Sequence, residues 1–252
     1  MTDAAWTLYA EQMDEVDGWF FEADVSLFSK LLACQTAEGI KGDMLEIGTY
    51  QGKSAIMMGY SLRDDEELVI CDLFDAVMDH AHMPRIPRQQ YSGLDQKQFL
   101  ANWDRFHPRR PTLEVCESSE LNLGERLLRF THVDGCHSYR CVANDINLAV
   151  THTTKRGLIA IDDYRGVETP GVAAAVWQAV GNGFLFPFAA TFMKIYACTS
   201  AADQSYWLER VRDCADICAL PDFDLPSYRS VSATQLAAGS PRDDRPESEP
   251  LG

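Results

Sequence analysis

Short apolar runs that alternate with helix-patterned stretches constrain this chain more than any other feature. Met44–Ile47, Leu68–Cys71, Thr112–Cys116, Phe130–Val133 and Leu158–Ile161 are each bounded by turn or polar residues. Between them the spacing becomes helical. Val142, Ile146, Ala149 and Val150 follow Ser138. Thr169-Pro170 ahead of GVAAAVWQAV supplies a cap and a proline at the first helical position, and Gly181 supplies a stop. Such alternation predicts an α/β architecture, a doubly wound Rossmann-like parallel sheet with helices on both faces. Residues 183–199 hold two further apolar runs, split near Pro187, that suit a final strand pair at the sheet edge.

Around that core the chain divides by composition. Residues 1–40 read as a helical cap rich in aromatics (Trp6, Tyr9, Trp19, Phe20, Phe21, Phe28), either a lid or an oligomer surface. The core spans 41–200. The connection from Cys71 to Thr112 is too long for a plain crossover, and predicts a lid insertion over about 74–110 with an amphipathic helix marked by Phe99, Trp103 and Phe106. Residues 201–237 read as a helical or loop extension. Residues 238–252, with the polar, proline-rich run GSPRDDRPESEPLG, read as a disordered tail.

Charge and cysteine usage exclude several classes. Lysine plus arginine total 22 against 38 acids, a net charge of −16 that repels phosphate backbones, so nucleic acid is not expected as a partner. No run approaches the roughly 18 apolar residues of a membrane span, and the start lacks a secretory profile; a soluble, cytoplasmic protein is expected. The eight cysteines form no CxxC pair and read as reduced, mostly buried thiols. Neither Cys136-His137 with Cys141 nor Cys214 with Cys218 supplies four zinc ligands.

The strongest local signal is Glu46-Ile47-Gly48-Thr49-Tyr50-Gln51-Gly52-Lys53-Ser54, which follows a strand and opens a helix near Ala55. Glycines at 48 and 52 permit a tight turn and close approach of a ligand; an ordinary strand-to-helix turn is the alternative. The spacing is ExGxxxG and not GxGxxG, and Glu46 would oppose a pyrophosphate. A cationic ligand suits it better. Asp72, closing VICDLFD, is placed to accept hydrogen bonds from ribose hydroxyls, or else to cap the following loop.

LEIGTYQGKS, CDLFD, FTHVDGCHSY and GLIAIDDY, in this order and spacing, resemble the class I methyltransferase pattern over roughly residues 40–200. More narrowly, the chain resembles small bacterial enzymes that methylate hydroxyl or amino groups of secondary metabolites, among them macrolide-sugar and lincosamide methyltransferases of antibiotic biosynthesis. The resemblance implies a seven-stranded sheet whose last strand is antiparallel, and S-adenosyl-L-methionine (SAM) as methyl donor. It implies SAM contacts from Glu46, Gly48, Thr49, Tyr50, Gly52, Ser54, Asp72 and Asp134, with Ser118 or Ser119 near the adenine.

On the acceptor side, Asp134 follows the fourth strand and Asp162-Asp163 the fifth, so three carboxylates reach one crevice. Three hard oxygen ligands describe a Mg2+-type site, as in the related metal-dependent enzymes; the alternative is that Asp134 caps a helix and one aspartate braces a loop. His137 stands where catechol-type relatives carry a lysine base, and is the expected general base beside Asp134. Some relatives have an acid at the position of Cys136, and a lone histidine can equally be a local hydrogen bonder. Tyr9 and Tyr164 are assigned to the acceptor pocket, with core packing the alternative for Tyr9. His80, His82, His107, Arg85, Arg88, Arg109 and Arg110 make one basic stretch, either facing a polar acceptor or solvated. The acceptor is expected to be a small molecule and the chain a homo-oligomer. A nucleic-acid methyltransferase or a non-catalytic partner of the same fold are the rival readings.

Overall fold

The computed structural model describes residues 3–74 and 95–212. The parts of the expected insertion, extension and tail at 75–94 and 213–252, with His80, His82, Arg85, Arg88, Cys214 and Cys218, lie outside the described residues. A seven-stranded sheet forms the centre: β1 (Asp43–Ile47), β2 (Leu68–Cys71), β3 (Thr112–Glu114), β4 (Leu128–Val133), β5 (Thr153–Ile161), β6 (Phe186–Ala190) and β7 (Ile195–Cys198). Their order is β3-β2-β1-β4-β5-β7-β6, and β7 runs antiparallel to both its neighbours. The predicted doubly wound sheet with an antiparallel last strand is therefore what the chain forms.

Strands buried on both faces need apolar residues on both, and successive residues divide between two cores. Met44, Leu68, Ile70, Phe130, Leu158, Ala160 and Tyr196 face a core completed by α1 (Asp3–Gln12), α2 (Glu22–Ala37), α3 (Lys53–Gly59), α4 (Gln96–Phe106) and α7 (Ala201–Arg212). Leu45, Ile47, Val69, Val133, Ile159 and Ile161 face the other, made with α5 (Tyr139–His152) and α6 (Pro170–Gly181). The aromatic N-terminal segment joins the first core: Phe28 packs edge-on to Phe130 and His132, with ring centroids 4.9 and 5.3 Å apart.

Two local readings change. The final pair is not split at Pro187, which lies inside β6; the turn falls at 191–194, where the Thr191 N–H donates to the Lys194 carbonyl. An edge strand tolerates a proline because one side of it needs no donor. Thr169 precedes α6 without a side-chain cap; its hydroxyl donates instead to the Asp163 carbonyl at 2.8 Å. Ser138 does cap α5, accepting from the Cys141 N–H. Among the described residues, no helix is long and apolar enough to cross a membrane.

Candidate active site

The carboxyl ends of β1, β2, β4 and β5 deliver the expected residues to one crevice. Register makes Glu46, His132, Ala160 and Tyr196 a row across the sheet. Glu46 is fully buried, accepting from Thr49 Oγ1 at 2.7 Å, Ser54 Oγ at 2.5 Å and His132 Nδ1 at 2.7 Å. It ties the glycine loop to the sheet from beneath. Asp72 does the same from β2, taking the Thr49 and Tyr50 N–H groups on Oδ2 and that of Phe74 on Oδ1. Burial pushes its carboxyl up against these three stabilising bonds. A carboxylate oxygen accepts two hydrogen bonds, so Oδ1 retains capacity for a hydroxyl such as that of a ribose.

The two glycines open space for the protein itself. A Cβ at Gly48, where φ is +79°, would lie 2.3 Å from the Asp134 carbonyl oxygen; glycine there lets β4 close on the loop, with the Asp134 N–H donating to Ile47 at 2.8 Å. A Cβ at Gly52, where φ is +95°, would lie 2.8 Å from the Phe99 ring. Helix α4 thus braces the loop, and Asn102 Nδ2 donates to the Gln51 carbonyl at 3.0 Å. Ser118 is half-buried and shares a hydrogen bond with Asp145 of α5, whose carboxyl burial lifts to about 6. Ser119 is exposed, donating to Glu117 at 3.3 Å.

Beyond the loop, His137 Nε2 lies 2.9 Å from Asp163 Oδ2. Asp163 adopts a left-handed φ of +58°. Its N–H donates to Asp162 Oδ1 at 2.8 Å while Thr169 and Gly166 hold its carbonyl. Asp134 keeps a quarter of its side chain open, with Oδ2 3.9 Å from both His132 Nε2 and Lys194 Nζ. Desolvation and the neighbouring Asp162 carboxylate raise its affinity for a proton.

Lys194 is the functional residue that sequence reasoning missed. Its buried ammonium ion-pairs with Asp162. Burial would strip its proton, but Asp162, Asp134 and Asp24 hold it firmly charged, and in return it pulls the buried Asp162 carboxyl below the usual range. Of the predicted set, Asp162 is thus ion-paired with Lys194, while Asp134 and Asp163 lie beside histidines. Among the described residues, the groupings of three whose ligand atoms lie within 4.8 Å of one another are His132, Asp134 and Asp162, and Asp134, His137 and Asp163. The first includes the carboxylate that Lys194 holds, and in the second His137 and Asp163 already bond each other.

Both tyrosines expected to meet an acceptor are buried. Tyr9 lies in the first core, against Phe106 and Tyr60, and donates to the Lys53 carbonyl at 2.5 Å. Tyr164 lies in the second core. Of the basic stretch, His107 is half-buried against the Ile56 carbonyl, Arg110 pairs with Asp104, and Arg109 donates to the Asp64 carbonyl, beside the amino ends of β2 and β3 and away from the crevice.

A sheet of this order with an acid-bearing glycine loop after β1 defines a nucleoside-binding α/β domain. Residues 45–164, just under half of the chain, match the family model described as a methyltransferase domain, which supports SAM-dependent methyl transfer. The O-methyltransferase NovP shares the fold with a TM-score of 0.59 at 14% identity, over 71% of this chain and 80% of its own. A Corynebacterium glutamicum protein does so with a TM-score of 0.52 at 14% identity, over 79% and 91%. No curated protein matches in sequence. The residues present fit SAM: Asp134 keeps a quarter of its side chain open beside the glycine loop, where it can face a cationic donor, and Asp72 keeps an acceptor site.

Proposed function

We propose that this chain methylates a hydroxyl group of a small secondary metabolite, with His137 as general base. The observation that carries the reading is the His137–Asp163 pair at 2.9 Å. A carboxylate only accepts, so in the neutral imidazole the proton sits on Nε2 and Nδ1 keeps the lone pair that takes a hydroxyl proton. An amine carries its own lone pair and has less need of such a base. SAM, when bound, supplies an electrophilic methyl group. The loop from Glu46 to Ser54 and Asp72 orient the donor, Asp134 faces the crevice from beneath, and His137 removes the proton as the acceptor oxygen attacks. Holding two reactants in line can remove about 7–11 kcal/mol of barrier. NovP, by name an O-methyltransferase, supports the choice of oxygen.

The test is incubation with SAM and a pool of hydroxyl- and amine-bearing metabolites, with products located by mass spectrometry and NMR. O-methyl products that vanish in His137→Gln support the reading. N-methyl products formed equally well by that variant would overturn it. Self-association, proposed from the exposed Leu8, Trp19 and Phe21 of the N-terminal segment, is read by light scattering of the full chain.

A further inference from the structure

Lys194 reaches the crevice because β7 runs antiparallel. Ile195 pairs with Ile161, so the residue before β7 lies across from Asp162, the residue after β5. Thr191 fixes the hairpin through two bonds, its N–H donating to the Lys194 carbonyl at 2.8 Å and its Oγ1 accepting the Lys194 N–H at 3.0 Å. The ammonium then bonds Asp162, stands 3.9 Å from Asp134 Oδ2 and faces the Phe20 ring at 5.7 Å. A divalent ion shared by Asp134 and Asp162 would have to approach this charge through the same oxygens. Such an ion also demands several oxygen ligands, and in the second grouping of Asp134, His137 and Asp163 the Asp163 Oδ2 already lies 2.9 Å from His137 Nε2.

We propose that the Lys194 ammonium is the resident cation of the crevice and that the reaction runs without a divalent metal. Lys194 is then a positioning residue. It holds Asp162, Asp162 holds the left-handed Asp163 through its N–H, and Asp163 holds His137. The positive charge that would lower the cost of gathering carboxylates is supplied by the chain itself.

The inference rests on the methyl-transfer reading for its meaning, but its test uses no acceptor. Full-length protein is titrated with Mg2+ and with Mn2+ by calorimetry, and its melting temperature is followed with each ion and with chelator. The wild type is expected to give no saturable heat at millimolar ion and no shift in melting temperature. Lys194→Met, which frees Asp134 and Asp162, is expected to bind Mn2+ saturably and to gain several degrees from it. Saturable binding by the wild type, with stability lost in chelator, overturns the proposal. So does a folded Lys194→Met that ignores both ions. If that variant does not fold, the wild-type titration alone decides. Failure of methyl transfer with every acceptor would leave these readouts standing, so the two readings fail separately.

Discussion

Strand β4 carries a buried charge cluster at each end, and the two are built on opposite terms. At its start, Arg129 is fully buried and spends four hydrogen bonds on Glu66 Oε1 and Oε2, Gln35 Oε1 and the Ser61 carbonyl. Gln35 Nε2 returns a bond to the Arg129 carbonyl at 2.6 Å. At its other end, His132 Nε2 is buried without a hydrogen-bond partner, as is Asp24 Oδ2 nearby, and acids outnumber cations. A closed cluster, built around a guanidinium whose nitrogens all donate, fixes the strand; an open one, whose histidine keeps an unpartnered nitrogen among several carboxylates, keeps capacity for moving a proton.

If that contrast holds, variants at the two ends divide cleanly between activity and stability. His137→Gln, at the open end, should lower kcat by about 10²–10⁴-fold, with the melting temperature and SAM affinity nearly unchanged. An equal loss of SAM binding in calorimetry would show that His137 serves the donor site instead. Arg129→Met, at the closed end, leaves the buried Glu66 with Arg63 alone and removes the partners of Gln35 Oε1 and the Ser61 carbonyl, and should cost about 3 kcal/mol in denaturant unfolding while kcat well below the melting point stays near wild type.

Acid sensitivity sharpens the same contrast. Burial would raise Glu66, but bonds from Arg63 and Arg129 outweigh it and hold the carboxyl below its ordinary value. That stabilisation is present above the unfolded value and is lost as pH falls through the folded one. Asp145, beside the expected adenine region, has the opposite sign. Its raised value of about 6 means the folded state binds the extra proton, so stability falls as pH climbs from the ordinary carboxylate range to about 6. Asp145→Asn should therefore stabilise the protein at pH 8, by up to about 3 kcal/mol, and do nothing near pH 3. A variant equally stabilised at both pH values would show that charge burial is not the cause. Smallest of all, Tyr9→Phe should cost about 1 kcal/mol for its bond to Lys53 and leave KM for any acceptor unchanged. A raised KM would return Tyr9 to the acceptor wall.

The strands and their order of appearance were legible because a sheet buried on both faces writes itself as apolar runs. The glycine loop was legible through Glu46, Gly48 and Gly52, although the structure turns both glycines to protein contacts, with Asp134 and Phe99. Asp134, His137, Asp162 and Asp163 could be named because each lies within a few residues of a strand end, where a parallel sheet gathers side chains. Lys194 could not. It sits in TFMKIYACT, a stretch that reads as strand, and its place depends on a turn at 191–194 and on the reversed direction of β7. Arg129 was hidden likewise inside a run that reads as core, since its partners Glu66, Gln35 and Ser61 are far along the chain.

The sequence by itself determined the α/β class, the loop after β1 and which acids reach the carboxyl edge, since these depend on local periodicity and on residues close to strand ends. Only the tertiary structure decided which charges meet. Pairings such as Lys194 with Asp162, or Arg129 with Glu66, join residues brought together by strand order and direction, and no local pattern of residues encodes that juxtaposition.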